Sequence, residues 1–227
     1  MKYVQNEKGN ATFYLLWLLG IVAIIFVLII NIVKVYIVKE HANLAVEQAA
    51  LAGTAVLLEK TKEAVEEFDT STDPLYLIQS GLQKSTDNGN SVGDLIEEKK
   101  KEYMDNGADE ADAYIKAANE ILPEKLQKYS LLKYEFTKRF GSSGSEIPDK
   151  VRSTVQDIII ENKANTGDTE IEFSQEKWRL EIKSTTTFES ISDHKFISKF
   201  LEDIPQEGYG PTLKYLESVY TETGILP

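Results

Sequence analysis

Residues 10–33 read NATFYLLWLLGIVAIIFVLIINIV and contain no charged side chain. A helix of about 20 predominantly apolar residues crosses the hydrocarbon core of a bilayer, and this run reaches that length. Tyr14 and Trp17 stand near one end and Tyr36 just beyond the other, where amphipathic rings settle at a membrane–water interface. As helix, the step from Tyr14 to Tyr36 rises about 33 Å, close to bilayer thickness. A cleaved signal peptide would have a shorter apolar region followed closely by an A-x-A site. The nearest such site, Ala50-Leu51-Ala52, lies far past the end of the run. Residues 10–33 are therefore expected to be an uncleaved, single-pass transmembrane anchor, with residues 1–9 as a short cytoplasmic N-terminus.

Orientation is close to balanced in charge. Lys2 and Lys8 precede the run, and Lys34 and Lys39 follow it. The free α-amino group tips the positive-inside count towards an inside N-terminus, which places the C-terminal part outside the cell membrane.

Nothing ends the helix at Val33. Neither Pro nor Gly occurs from Ile21 to Ala52, and helix formers continue to Phe68. Within this stretch Val35, Val38, Ala42, Ala45, Ala49, Ala52 and Val56 are spaced alternately by three and four, a heptad seam. The frame extends back to Asn31, whose amide suits either a partner helix or the headgroup level. Leu44, Leu51 and Leu58 form a second row at seven-residue spacing. A seam of small residues lets helices approach closely. The pattern requires a partner for residues 34–67, a stalk, without saying whether that partner is the protein's own body or a neighbouring subunit.

The whole chain carries 25 Lys plus Arg and 37 Asp plus Glu, a net charge of −12. Only Glu7 is acidic before residue 40, so the remainder holds 21 basic and 36 acidic residues, a net of −15. An acidic body lacks the clustered Lys and Arg that phosphate contacts need, which excludes nucleic acid as a partner. It is also repelled by anionic headgroups, so membrane lipid is a partner of the anchor alone. The chain has no cysteine, which removes disulfides, thiol catalysis and zinc–thiolate sites together.

Residues 68–227 are expected to form an α+β body, rich in helix with a small antiparallel sheet. Asp69-Thr70-Ser71-Thr72-Asp73-Pro74 stops the long helix, and a turn-rich stretch covers residues 85–94. Helices are expected at residues 94–104, 109–122 and, after Pro123, 124–140. The run Gly141-Ser142-Ser143-Gly144-Ser145 reads as a linker, and Pro148 opens a further helix. Alternation over residues 169–173 and 178–188 marks an antiparallel hairpin joined by Ser174-Gln175-Glu176. Phe196, Ile197, Phe200, Leu201 and Ile204 have helical spacing, and the tail with Gly208, Gly210 and Pro211 reads as irregular.

Enzyme chemistry finds no constellation. The two histidines are His41 and His194, and the run Ser192-Asp193-His194 is no catalytic triad, which is a spatial arrangement. No nucleophile elbow, H-E-x-x-H or P-loop accompanies it. Asp69 to Asp73 reads as a helix stop or N-cap. Residues 87–98 have the length of a calcium loop, but Val92 stands where Gly makes the sharp turn. No catalytic, cofactor-binding or metal residue is assigned.

The N-terminal quarter resembles the Tad/Flp (tight adherence) pilus-assembly proteins of the TadE/TadG type. These open with a short basic segment and a Gly, continue with a long apolar helix, then a run of the form NAADAAALAGA. The matching residues are Lys8-Gly9, residues 11–33, and NLAVEQAALAGTA from Asn43 to Ala55. The resemblance covers about residues 8–57. It implies a bacterial, pseudopilin-like subunit with its N-terminus inside and its body extracytoplasmic. It also implies other pilus-assembly or membrane subunits as partners through anchor and stalk. Pilin-like members carry a Glu-Tyr pair after the Gly, used by the prepilin peptidase. Here the equivalent pair is Tyr14-Leu15, so cleavage after Gly9 is not expected. Two functions follow as expectations: a non-enzymatic structural component of a Tad/Flp-like pilus or secretion assembly, or an independent membrane-tethered binding or sensor domain.

Overall fold

The computed structural model describes residues 7–141, 148–162, 165–186 and 204–220. The first element, α1, is one continuous helix, Glu7–Thr70, roughly 95 Å long at 1.5 Å per residue. Five helices follow: α2 Pro74–Thr86, α3 Val92–Asp105, α4 Glu110–Lys128, α5 Ser130–Phe140 and α6 Asp149–Glu161. Strands β1 Asn165–Ser174, β2 Arg179–Thr186 and β3 Ile204–Tyr209 form an antiparallel sheet in that order. A 3₁₀ turn, Lys214–Leu216, leads into α7, Glu217–Tyr220. The architecture is α+β and rich in helix, as the sequence pattern implies.

The distal part of α1 is the axis of the body. Val46, Ala49, Ala50, Leu57, Ala64, Val65 and Phe68 belong to one core with Leu122, Leu132, Phe136, Val155, Leu180 and Tyr215. The division between a stalk at residues 34–67 and a body at 68–227 therefore does not hold. A three-stranded sheet buries its apolar face only against a second layer, and residues 42–70 of α1 supply that layer. Strands β2 and β3 and helices α5 and α6 all pack against α1.

Small residues set how closely the layers meet. A methyl group at Gly208 would collide with the Val46 carbonyl, so β3 lies backbone-to-backbone on α1. A methyl at Gly53 would collide with Leu180 and stand 3.0 Å from a Val155 methyl. Ala45 and Ala49, both fully buried, continue this narrow path along the helix.

Strand alternation holds where it was legible. Phe173, Leu180, Ile182 and Ser184 are buried, with Phe173 opposite Leu180 and Ile182 opposite Gly208. The third strand departs from expectation. Ile204 begins β3 rather than ending a helix, and Gly208 lies inside the strand. The ladder pairing Ser184 with Gln206 and Lys183 with Glu207, together with contact with α1, overrides the local pattern. Phe196, Ile197, Phe200 and Leu201 lie outside the described residues.

Pro123 does not start a helix either. It sits within α4, which continues to Lys128, and the break comes at Tyr129 with φ −115° and ψ 104°. Tertiary contacts fix that break. The Tyr129 ring lies 5.9 Å from that of Phe68, and the Leu131 N–H donates to Gln79 Oε1 at 3.0 Å.

Helix α2 lies almost wholly between the stop at Pro74 and the turn-rich stretch 85–94, where the sequence pattern marks no element. It is inverted: Ser80 and Gln83 are buried, while Leu75, Leu77, Ile78 and Leu82 are exposed. Its polar face is held by hydrogen bonds from Gln79 to Ser130, at 2.9 Å, and from Tyr76 to Glu135.

Candidate helix-packing site

Asp69, Asp73 and Ser91 act as caps. The Asp73 carboxylate accepts the Leu75 N–H at 2.8 Å at the start of α2. Asp69 accepts the N–H groups of Val92, at 3.2 Å, and Gly93, at 2.8 Å. These are donors left open in the first turn of α3. Burial raises the Asp69 pKa despite those bonds. Ser91 and Asp94 complete a capping box on α3. Within the stretch 87–98, Asp87 is bound by the Lys125 ammonium at 2.7 Å and by Gln83 at 2.6 Å. His41 is exposed, and His194 lies outside the described residues.

The heptad seam divides into two parts. Ala42, Ala45, Ala49 and Val56 are buried, and Ala52 is half-buried. They lie on the face of α1 that carries the sheet and α6, so this part of the seam packs on the protein's own body. Val35 and Val38 are half-buried. Asn31 is buried, and its side-chain amide donates to the Val27 carbonyl at 3.0 Å. The backbone satisfies that donor within the same helix, as polar side chains in membrane helices commonly require. The interface residues Tyr14, Trp17 and Tyr36 are all exposed.

The second row faces the other way. Ile37, Leu44 and Leu51 are 48%, 42% and 53% exposed. Leu58, one heptad further, is half-buried in a groove of about 450 Å³ between α1, α3 and α4. Ala55, Lys62, Lys100, Glu110 and Tyr114 also line it. Lys100 is paired with Glu110 at 3.0 Å, and the Lys62 ammonium stands 4.6 Å from the centre of the Tyr114 ring. The groove is thus apolar at its floor and ion-paired at its rim.

Spacing revealed both rows, and the structure settles which partner the small-residue row meets beside the body: the protein's own sheet. The alanines, weak as hydrophobes, are inside because strand backbone must approach there. Leu44 and Leu51, of a type that would normally claim the core, are outside, and Leu58 is half-buried. Eighteen consecutive residues within α1 reach a mean hydropathy of 3.0 with none buried, so among the described residues one helix is long and apolar enough to cross a membrane. In comparisons with known proteins, no family model, curated protein or solved structure matches the chain.

Proposed function

We propose that the chain is a non-enzymatic structural subunit of a Tad/Flp-like pilus or secretion assembly. It is anchored once in the cell membrane, with its N-terminus inside and its body outside. The observation that carries this reading is the continuity of α1. One helix joins the apolar span directly to the centre of the body, so the body is rigidly coupled to its anchor rather than hung on a linker. The order of Lys8-Gly9, apolar helix and Ala-rich run supports the family assignment.

Full-length protein cross-linked in membranes and then purified tests the proposal. Other anchored subunits and a polytopic platform protein should be recovered with it. Recovery of the chain alone would refute the assembly role. The second reading, an independent tethered binding domain, draws support from the buried half of the seam, which is already occupied by the protein's own sheet.

A further inference from the structure

The covered face of α1 extends past the end of the sheet. Gly208 lies on the Val46 carbonyl, and Gly210 lies beside Ala50 and Thr54, so β3 runs in the same direction as α1. The four residues from Gly208 back to Ile204 cover about 13 Å, the rise of about nine helical residues. Ile204 and its ladder partner Thr186 therefore stand near the level of Ile37, just past the apolar span. Nearer the span, the same face of α1 is still covered. Asn31 is 4% exposed, and Lys34 and Val35 are half-buried, whereas Tyr36, on the other side of the helix, is 68% exposed. A helix standing alone exposes all its faces alike, so a further layer lies on this one.

We propose that this layer is the protein's own connection between β2 and β3, residues 187–203, docked on Asn31, Lys34 and Val35. The inference goes beyond the assembly reading and does not rest on it. Position selects this occupant. The connection leaves the sheet at Thr186 and returns at Ile204, the two positions that stand directly above the patch. Length agrees: adjacent antiparallel strands need about two to five residues between them, and this connection has 17. Composition agrees as well. Phe188, Ile191, Phe196, Ile197, Phe200 and Leu201 carry apolar area that gains by leaving water. Four acidic and two basic side chains give the connection a net charge of −2, opposite in sign to Lys34. The other segments outside the described residues do not reach the patch. Residues 221–227 follow Tyr220, whose ring stacks on Trp178, next to the strand end that meets Gly53 through Leu180. Seven residues span at most about 25 Å, and Asn31 lies roughly 33 Å down the helix from Gly53. Residues 142–147 lead into α6 where Lys150 meets Glu59, farther away still. Residues 163 and 164 follow Asn162, which bonds Gln48, and are too few. Residues 1–6 lie at the other end of the apolar span. The small-residue seam is thus closed by this chain itself from Asn31 to Val56, and a neighbouring subunit must approach α1 from another side.

The absence of native cysteine allows a clean test on the full chain in membranes. Val35→Cys is combined in turn with Ile191→Cys, Phe196→Cys and Phe200→Cys, treated with a short bifunctional maleimide and mapped by peptide mass. At least one pair should give a link within a single chain. The yield should be several-fold higher than with Tyr36→Cys in place of Val35→Cys, a position about 140° around the helix from Asn31. In a second measurement, Phe196→Ser combined with Phe200→Ser should raise maleimide labelling of the single variant Val35→Cys several-fold. Labelling unchanged by the serines overturns the proposal. Links from Val35→Cys to a second copy, at twice the chain mass, also overturn it. Links from Val35→Cys to a different protein overturn it while supporting the assembly reading. No link at any of the three pairs leaves lipid as the cover and overturns it as well.

Discussion

The hydroxyl of Tyr215 lies 2.7 Å from that of Thr61, across 154 residues of sequence. Both side chains are fully buried. Thr61 also donates to the Leu57 carbonyl at 3.0 Å, so in the Thr61–Tyr215 bond it is Tyr215 that donates. The bond ties the 3₁₀ turn Lys214–Leu216 to the C-terminal part of the first helix. Burial holds the Tyr215 phenol far above its ordinary pKa, so it remains a donor throughout the physiological range.

Tyr215→Phe removes that donor while Thr61 keeps its bond to Leu57. The expected loss is about 1 kcal/mol. Tyr215→Ala also leaves a cavity beside Phe136, whose ring centre lies 6.1 Å away, and should lose about 3–5 kcal/mol. Denaturant unfolding of the two variants checks the order. Equal losses would mean that the ring contributes nothing beyond its hydroxyl.

Two glycines should respond in opposite directions. Gly208→Ala pushes β3 off the Val46 carbonyl and should lower the melting temperature sharply. Gly81→Ala, in α2, meets nothing within 4 Å and should stabilise by about 0.5–1 kcal/mol through helix propensity. A neutral Gly208→Ala would argue against the close strand–helix contact.

Acid should weaken the body through Glu135 and Asp87. Burial alone would raise the pKa of each. Tyr76 and Arg139 beside Glu135, and Lys125 and Gln83 beside Asp87, outweigh it, so both carboxyls lie below their ordinary values. A depressed carboxylate contributes stability above its unfolded pKa, about 4.3 for Glu and 3.9 for Asp. That contribution is lost as pH falls through the folded value. The melting temperature should therefore fall as pH drops below about 4. Lys125→Met strands Asp87 and should lose about 3 kcal/mol at neutral pH, with part of the loss recovered in acid as Asp87 takes up a proton. A variant with the wild-type pH profile would contradict the pairing.

Truncation should locate the true boundary of the body. A fragment beginning at residue 69 lacks Val46, Ala49, Leu57, Ala64 and Phe68 and should show no cooperative melt. A fragment beginning near residue 38 retains all of them and should melt cooperatively. Circular dichroism distinguishes the two, and a cooperative melt of the shorter fragment would remove α1 from the core.

Much of this was legible in the chain because the signals were local. The uncharged run at residues 10–33, the stop at Asp69 to Pro74 and the alternation around Trp178 each depend on neighbours in sequence. What was not legible depended on distant partners. Ile204 joins a strand because Thr186 stands across the ladder from it. Helix α2 was hidden because Leu75, Ile78 and Leu82 point outward while Gln79 and Gln83 are fixed by α5 and the turn before α3. Tyr129, not Pro123, breaks the helix because Phe68 lies beside it. The seam was visible as a period, but only the sheet reveals that the alanines face inward and the leucines outward.

The long span between Thr61 and Tyr215 has a consequence in time. A ribosome adds roughly 5–20 residues each second, so Tyr215 is made about 8–30 s after Thr61. For most of that interval α1 has been made, but β2 and β3, which pack on it at Val46 and Ala50, do not yet exist. The nascent helix thus shows two bare faces, one awaiting its own sheet and one that stays open after folding. A neighbouring chain that docks early on the alanine face would exclude β3. The order of synthesis therefore decides how long each face of the helix stays uncovered.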